Sequence, residues 1–325
     1  MIELTSINAR IYSKLGQRGT IFGMSLPEIT ENHPEIMVLT ADLTILSGLD
    51  RFVAKYPNQF LNTGIAEQNM IGIAAGLAAE GHKTIATTYA TFISLRSCEQ
   101  IRHYLGYMKS NVIVIGSGAG LVMAFSGNTH YAIEDIAVMR AIPNITILSP
   151  SDAGLAAKAF EAVIELNKPV YIRLTGALNC PIIYKNDFNF EIGKSIVIKE
   201  GADITIFATG MMVAQSLKAA DILEAKNISI KVVDVHTIKP LDTSIIIESL
   251  SSKLFVSVEE HNIIGGLGGA ISEFLTMKGN AVPLLRLGIQ DAFCKVGDYS
   301  YLLLQNRLNP DLIADDILEK YQSVV

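Results

Sequence analysis

The feature that most restricts the fold of this chain is a regular alternation of short β-branched runs with longer helical patterns. IMVLT at 36–40 is followed by an Ala- and Leu-rich segment at 68–80 and by KTIATTY at 83–89. The strand-like runs are apolar nearly throughout, which is typical of parallel strands buried on both faces. The sequence therefore predicts an α/β fold in which helices cover both sides of a parallel sheet.

The alternation occurs in two blocks, separated by a Gly-, Asn- and Pro-containing stretch at 175–193 that has no clear period. We predict two doubly wound domains, at 1–185 and, smaller, at 190–325. Further strands are predicted at 111–115, 145–148, 169–174, 203–208, 228–235, 254–258 and 282–287. Further helices are predicted at 92–106, 135–141, 152–166, 211–226, 242–250, 267–278 and 310–322.

Composition excludes several classes of protein. The chain has 325 residues, half of them apolar, and a formal net charge of −6 without a Lys/Arg cluster, which argues against nucleic-acid and anionic-membrane partners. Cys98, Cys180 and Cys294 are too far apart in sequence to suggest a disulfide framework or a zinc site, so we expect reduced thiols and a cytoplasmic location. The N-terminus has no signal-peptide pattern. The uncharged stretch 110–133 is broken by glycines and polar residues, so it predicts a buried strand and a polar loop instead of a membrane helix.

Two glycine clusters, GSGAGL at 116–121 and GGLGG at 265–269, fit neither the dinucleotide nor the P-loop motif. Leu121 and Ile271 occupy the required third glycine position of the dinucleotide motif. Tight turns account for both clusters. The second follows a predicted strand and opens a helix, so its amides could face an anion.

Glu67 is the residue that points most directly to chemistry. It follows the small-residue turn NTGIA and precedes a tightly packing helix, so we expect it at a helix N-terminus, where negative charge is favoured. Its small and apolar neighbours predict partial desolvation, which favours sharing of a proton. From the spacing alone, a surface acid that caps the helix is the alternative.

The run GIAEQNMIGIAAGLAAEG at 64–81 resembles the pyrimidine-binding domain of transketolases and 1-deoxyxylulose-5-phosphate synthases. The resemblance continues through TTYATFISLRSCEQIRH at 87–103, GNTHYAIEDIAVMRAIPNITILSPSD at 127–152 and PVYIRLTG at 169–176. In the second block, ATGMMVAQSLKAADIL, DVHTIKPLD and SVEEHNIIGGLGGAI resemble the C-terminal domain of the same family. The resemblance covers nearly the whole chain.

This resemblance implies a thiamine-diphosphate enzyme in which Glu67 matches the glutamate that hydrogen-bonds the aminopyrimidine ring and promotes its imino form. Phe92 matches the aromatic residue that stacks on that ring, and Tyr89, three residues earlier, is a further candidate for binding the coenzyme. Asp42, in the TADL segment, matches the family's aspartate near the coenzyme. The alternatives are core aromatics for Phe92 and Tyr89 and a loop or capping acid for Asp42.

The resemblance also implies two substrate contacts. His130, in GNTHYAIED, matches a histidine that lies over the reacting carbons and could polarise a substrate oxygen or shuttle a proton. Arg173, in YIRL, is matched to an arginine that grips the substrate phosphate, a role that suits a bidentate guanidinium. A structural histidine, and a strand-end arginine paired with a carboxylate, are the respective alternatives.

The sequence departs from the transketolase pattern in the loop before His130. Ser126 stands where transketolases have an aspartate that recognises a sugar hydroxyl, and Gly118 stands where they have a further histidine. Ser126 is therefore a candidate substrate-binding residue in a changed pocket. We expect the substrate to be a sugar or another small aldehyde.

The motif GDG followed by NN, which holds Mg²⁺ and the diphosphate in this family, does not occur in the sequence. We therefore expect no metal ligand in this chain, and a partner subunit of transketolase N-terminal type that carries GDG…NN and Mg²⁺. The resemblance implies that the coenzyme lies between the two chains of an α2β2 assembly.

The expected activity is transfer of a two-carbon ketol unit from a ketose to an aldehyde, only in the presence of the partner. Two alternatives stay open at this point. One is an acyl-transferring subunit resembling 1-deoxyxylulose-5-phosphate synthase or the β subunit of 2-oxoacid dehydrogenase E1. The other is a non-catalytic scaffold with the same fold.

Overall fold

The computed structural model describes residues 2–279 and 282–324. The strands are β1 (Ile36–Thr40), β2 (Phe60–Asn62), β3 (Lys83–Tyr89), β4 (Val112–Ser117), β5 (Thr146–Leu148), β6 (Val170–Arg173), β7 (Ile196–Lys199), β8 (Ile204–Ala208), β9 (Ile230–Asp234), β10 (Thr237–Lys239), β11 (Leu254–Asn262) and β12 (Leu284–Ile289). The helices are α1 (Ser6–Thr20), α2 (Leu26–Thr30), α3 (Asp50–Lys55), α4 (Glu67–Ala79), α5 (Cys98–Gln100), α6 (Asp135–Ala141), α7 (Ala153–Ile164), α8 (Met212–Glu224), α9 (Thr243–Glu248), α10 (Leu267–Lys278), α11 (Tyr299–Gln305) and α12 (Pro310–Val324).

These strands form two sheets, which confirms the predicted α/β fold. The first has the order β10-β5-β6-β4-β3-β1-β2 and is parallel except for β10, which runs antiparallel to β5. The second has the order β12-β11-β8-β9-β7 and is parallel except for the edge strand β7. Every residue of β4, β6 and β8 is buried, as expected for parallel strands that have helices on both faces.

The second half of the chain contributes a strand to the first sheet. Thr237 pairs with Leu148, and Lys239 pairs with Ile147. The side chain of Lys239 also donates hydrogen bonds to the carbonyls of Arg140 and Ile142 at 3.0 and 2.6 Å. The domain limits 1–185 and 190–325 stay a prediction, and their outer ends, residues 1 and 325, lie outside the described residues.

Helix α1 was not predicted from the sequence, and a kink divides it. Thr5 caps its start, accepting a hydrogen bond from the backbone N–H of Asn8, whose side chain in turn accepts one from the N–H of Thr5. Gly16 then adopts φ 68° and ψ 176°, a conformation open almost only to glycine. The kink lets the following turn approach the segment after β6, where the buried Gln17 donates to the carbonyl of Pro150 and accepts from the N–H of Gly176.

The segment predicted as a helix at 92–106 consists largely of π-helical turns, which are wider than α-helical turns. Residues Phe92–Arg96 and Ile101–Tyr107 form π-helical turns on either side of α5. Such turns are often found at functional sites. Here the first of them carries Phe92 and Arg96 on one turn.

The amides of the cluster 265–269 face a carboxylate from the chain itself. Helix α10 begins within the cluster, and the N–H groups of Leu267 and Gly268 donate to the two oxygens of Glu259 at 2.7 and 2.8 Å. The possible anion at this helix start is therefore a buried side chain of β11. Within residues 2–279 and 282–324, no helix has both the length and the apolar character needed to cross a bilayer.

Candidate active site

Glu67 is the first residue of helix α4 and lies beyond the carboxyl ends of β1 and β2. Its side chain is only 3% exposed. The preceding residue, Ala66, provides no side-chain cap, so the N-terminal amides of α4 are free of a competing capping side chain. A helix N-terminus favours a negative charge in this position. The structure thus places Glu67 where the sequence predicted, in a largely desolvated location.

Asn62 connects Asp42 to the turn that precedes Glu67. Its Oδ1 accepts hydrogen bonds from the backbone N–H groups of Asp42 and Gly64, both at 3.0 Å. Asp42 and Gly64 have φ values of 58° and 69°, so both residues adopt the left-handed backbone conformation. The side chain of Asp42 is exposed at the edge of the site.

Three aromatic rings meet next to Glu67. The ring of Phe92 lies 5.8 Å from that of Tyr89 and 5.4 Å from that of His130, and Tyr89 and His130 are 5.9 Å apart. All three pairs are tilted or edge-on. Nδ1 of His130 lies 3.0 Å from the hydroxyl of Thr129. The structure therefore brings together three residues that come from separate sequence segments.

Arg96 connects this aromatic cluster to Glu67, and sequence reasoning did not single it out. Its Nη1 donates to Oε1 of Glu67 at 2.7 Å, and its guanidinium carbon lies 3.9 Å from the ring centroid of Phe92. The side chain of Gln68 donates to the carbonyl of Arg96 at 3.0 Å. Arg96 is 44% exposed, so the ion pair stands at the mouth of the site.

Ser126 and His130 lie on a loop that residues from the second half of the chain hold in place. Glu260, on β11, accepts from the N–H of Leu121 at 2.6 Å and from the hydroxyl of Tyr299 at 2.7 Å. Burial raises the pKa of Glu260 to about 7. Ser126 ends a 3₁₀ turn of this loop and is exposed.

The predicted contact between Arg173 and a substrate phosphate stays a prediction, and the surroundings of Arg173 favour the alternative. Arg173 is 1% exposed and is paired with Asp135, which is fully buried, at 2.8 Å. Its Nη2 donates to the carbonyls of Glu260 and Ala132 at 2.6 and 3.3 Å. A buried guanidinium must be paired. These contacts pair the charge of Arg173 with groups in the protein interior. The alternative stated for it, a strand-end arginine paired with a carboxylate, describes this geometry.

Arg18 is a candidate site residue that sequence reasoning missed. It lines a cavity of about 170 Å³ together with Ser117, Gly118 and Gly176. Partial burial lowers the pKa of Arg18, Tyr89 opposes this shift, and Arg18 forms no salt bridge within the part of the chain that the structure describes. An arginine remains charged under these conditions. The two glycines that flank it in GQRG, inside an otherwise helical pattern, were the available signal.

Comparison with known protein families agrees with the fold described above. The family model for the transketolase pyrimidine-binding domain matches residues 17–180, and the model for the transketolase C-terminal domain matches residues 193–311.

The chain belongs to the transketolase family.

Relatives of transketolase type match this chain along nearly their whole length. The putative transketolase C-terminal section of Methanocaldococcus jannaschii is 40% identical over 301 residues, covering 92% of this chain and 94% of that protein. A solved structure described as a split gene transketolase, inactive beta4 tetramer, is 36% identical with a TM-score of 0.85 and covers 95% of this chain and 98% of that chain. The predicted membership of the transketolase family and the predicted two-domain fold are confirmed.

A longer enzyme of the family also matches this chain. The 1-deoxy-D-xylulose-5-phosphate synthase of Caldanaerobacter subterraneus subsp. tengcongensis is 38% identical over 306 residues. These residues cover 94% of this chain but 49% of the synthase, so this chain spans about half the length of that transketolase relative.

No group of three or more His, Cys, Asp or Glu side chains suited to a metal ion occurs in the part of the chain that the structure describes. The roles of Glu67, Phe92, Tyr89, His130 and the remaining candidates in a transketolase reaction stay predictions.

Proposed function

We propose that this chain is the coenzyme-activating C-terminal subunit of a two-chain transketolase. The reaction is transfer of a two-carbon ketol unit from a ketose donor to an aldehyde acceptor. The chain supplies the pocket for the pyrimidine end of thiamine diphosphate, and the partner chain supplies the groups for the diphosphate and Mg²⁺. A cytoplasmic location remains part of the proposal.

The observation that carries this proposal is a planar group held between a buried carboxylate and an aromatic face. The guanidinium of Arg96 is bound to Glu67 at 2.7 Å and stacks on Phe92 at 3.9 Å. An aminopyrimidine is also planar and has hydrogen-bonding nitrogens at its edge. The residues present therefore fit this end of the coenzyme.

Each residue of the pocket has a distinct proposed task. When bound, thiamine diphosphate supplies the electron sink for breaking and forming the carbon–carbon bond. Glu67 shares a proton through its carboxylate oxygens, in a desolvated position where that interaction is strong. Phe92 fixes the plane of the ring by stacking, and Tyr89 supports Phe92 from the side.

His130 and Arg18 are the proposed substrate contacts. Nε2 of His130 is available to hold or move a proton at a substrate oxygen, because Nδ1 is the nitrogen next to Thr129. Arg18 presents an uncompensated cation in a small cavity beside Tyr89, which suits the anionic end of a substrate. Arg18 thus takes the role that the sequence assigned to Arg173.

A partner chain is supported by the surface around the site. Large apolar side chains that are 49–81% exposed stand close in sequence to the candidate residues, and we call them the apolar rim: Ile45, Leu46, Ile65, Leu95 and Phe125. A contiguous patch of exposed apolar side chains marks an interaction surface, and we propose that these five side chains belong to one. The split gene transketolase and the separate C-terminal section among the relatives support the same proposal, with α2β2 as the proposed assembly.

The test of the proposed function is reconstitution. The chain is mixed with a transketolase N-terminal-type subunit, thiamine diphosphate and Mg²⁺, and two-carbon transfer is followed by mass spectrometry of the products. Glu67→Gln is expected to lower kcat by about 10²–10⁴-fold, because it keeps the shape of the side chain but cannot exchange a proton in the same way.

Glu80→Gln is the matched control, since Glu80 is an exposed glutamate at the other end of α4. It should leave kcat within about twofold of wild type, as expected for a change at a position away from the site. Wild-type rates in Glu67→Gln would overturn the assignment of Glu67. A reconstituted pair that binds the coenzyme but turns over neither donor class would favour the scaffold alternative.

Acyl transfer is the second candidate, and the match to 1-deoxy-D-xylulose-5-phosphate synthase favours it. The two activities differ in the donor, a ketose phosphate in one case and pyruvate in the other. Product analysis with each donor in parallel separates them. Carbon dioxide release from pyruvate with no transfer from a ketose phosphate would replace the ketol-transfer proposal by acyl transfer.

A further inference from the structure

Arg96 fills the space in which the pyrimidine ring of the proposed function has to lie. Its Nη1 binds Oε1 of Glu67 at 2.7 Å, and its guanidinium carbon lies 3.9 Å from the centre of the Phe92 ring. A ring stacked on Phe92 would have its atoms about 3.5–4 Å from that face, which is the contact distance of carbon atoms. The guanidinium and the ring therefore compete for one position.

Two further side chains of this chain lie around the Phe92 ring. Tyr89 and His130 are packed against this ring, with centroids at 5.8 and 5.4 Å. One of the two carboxylate oxygens of Glu67, Oε1, already accepts the hydrogen bond from Arg96.

The charge of Glu67 explains why an arginine is held in this position. Its carboxylate is 3% exposed, and an ionised carboxylate without a partner is strongly destabilising in such a location. A guanidinium is planar, can stack on an aromatic ring and binds carboxylates with well-defined geometry. Arg96 thus provides both contacts that a bound aminopyrimidine would provide.

The side chain can leave without a change of the backbone. Arg96 is 44% exposed, so solvent is directly accessible to it. Its backbone carbonyl is fixed independently, by the hydrogen bond of 3.0 Å from the side chain of Gln68. Rotation about side-chain bonds is therefore sufficient to open the position.

We propose that Arg96 is a placeholder that occupies the pyrimidine position in the ligand-free subunit and has to swing out before the coenzyme ring can bind. This inference rests on the proposed function, because it assigns a competitor to the same ring position. It makes Arg96 a gating residue that takes no part in the chemistry. The exchange also keeps Glu67 paired in both states of the subunit.

A placeholder lowers the apparent affinity for the coenzyme. Only the fraction of molecules in which Arg96 has left can bind, and the apparent Kd is raised by the reciprocal of that fraction. If the paired state is populated to about 70–90%, removing it lowers the Kd by about threefold to tenfold.

The experiment measures the Kd of thiamine diphosphate, in the presence of Mg²⁺, for the assembled two-chain enzyme by isothermal titration calorimetry. Arg96→Gln is compared with wild type, with Arg96→Lys, which retains the charge but cannot stack as a flat group, and with Arg10→Gln. Arg10 is an exposed arginine on α1, so this control removes the same charge away from the site. We expect binding about threefold to tenfold tighter in Arg96→Gln, an intermediate value in Arg96→Lys, and no change in Arg10→Gln.

Equal or weaker binding in Arg96→Gln, with wild-type binding intact, would overturn the inference and show that Arg96 is neutral or holds the ligand. If the wild-type assembly itself binds no thiamine diphosphate, the proposed function fails first, and the inference fails with it. The two failures are thereby distinguished.

A second measurement uses the ligand-free chain alone and does not depend on the partner. Arg96→Gln leaves Glu67 unpaired and should lower the midpoint of thermal unfolding, whereas the double variant Glu67→Gln/Arg96→Gln should recover most of that loss. This double-mutant cycle reports whether the pair exists in solution. A midpoint unchanged by Arg96→Gln would contradict the resting ion pair on which the inference depends.

Discussion

At the residue scale, two arginines near the site differ in what surrounds their charge. Arg173 has a buried carboxylate partner, Asp135, at 2.8 Å. Arg18 is partly buried beside Tyr89 and lines a cavity. A cation that is already neutralised holds the protein together, whereas one that is left uncompensated in a cavity is able to bind an anion.

This difference predicts opposite phenotypes for the same substitution. Arg18→Met should raise KM for a phosphorylated substrate by about tenfold or more, since one charge-assisted contact is worth about 1.5–3 kcal/mol, with a small change in the unfolding midpoint. Arg173→Met should instead destabilise the chain by about 3–5 kcal/mol, because it leaves the buried Asp135 without its charged partner. Steady-state kinetics and urea denaturation of both variants test this assignment, and a purely kinetic effect of Arg173→Met would reverse it.

At the element scale, the kink in α1 delivers Arg18 to the cavity. Gly16 adopts φ 68°, and a Cβ atom at this position would lie 2.5 Å from the carbonyl oxygen of Ala177. Both the backbone conformation and the space therefore require glycine. The kink also sets the buried contacts that Gln17 makes with Pro150 and Gly176.

Gly16→Ala is accordingly expected to lower the unfolding midpoint by about 4 °C or more, corresponding to more than about 2 kcal/mol in a protein of this size. Gly23→Ala is the matched control, because no atom lies within 4 Å of its added methyl group. That substitution should be neutral or raise stability by about 0.4–1 kcal/mol. Differential scanning fluorimetry measures the unfolding midpoints of the two variants. Equal midpoints would show that α1 tolerates a straight helix without the kink.

The loop before His130 shows how one element depends on another. Glu260 holds it through the N–H of Leu121, and burial raises the pKa of Glu260 from 4.5 to about 7. The folded state therefore favours the protonated carboxyl. The stabilisation that goes with this raised pKa is complete below about pH 4.5 and is lost as the pH rises through 7.

We therefore expect wild type to lose stability relative to Glu260→Gln between pH 5 and 8, by at most roughly 3 kcal/mol. Glutamine is a suitable reference because it has the same shape and does not titrate. Unfolding midpoints measured for both proteins across this pH range provide the test. A constant difference between them would mean that Glu260 does not titrate in the folded protein.

At the scale of the whole molecule, the site lies open beside the apolar rim. Ile65, the rim residue two positions before Glu67, is 76% exposed. Burial of such a side chain in an interface is worth about 1.5–3 kcal/mol, and introducing a charge there adds a desolvation penalty. The rim therefore has the composition of a surface that another chain covers.

Ile65→Asp should weaken association with the partner subunit by about tenfold or more, whereas Met277→Asp should not. Met277 is 86% exposed on α10, which makes it a control of the same chemical type outside the rim. Analytical ultracentrifugation of each variant with the partner measures the effect. Undisturbed assembly of Ile65→Asp would place the partner on another surface.

The sequence by itself determined the local structure of much of this chain. Strand Ile36–Thr40 and helices Asp135–Ala141 and Leu267–Lys278 were predicted with the bounds that the structure has. The position of Glu67 at a helix start was also readable, since both the small-residue turn and the helical pattern are adjacent to it. Hydrophobic periodicity and the signals at helix ends involve residues only a few positions apart, so they can be recognised without knowledge of the tertiary fold.

Contacts between distant segments were decided only by the tertiary structure. Nothing near Arg173 in the sequence shows that Asp135, 38 residues away, neutralises it, and nothing near Glu67 shows that Arg96, 29 residues away, pairs with it. The addition of β10 to the first sheet likewise follows from strand order. The local sequence pattern determines whether a segment forms a helix or a strand. The partner of a buried charge depends instead on which strand ends the sheet brings together. That arrangement is a property of the whole packed core.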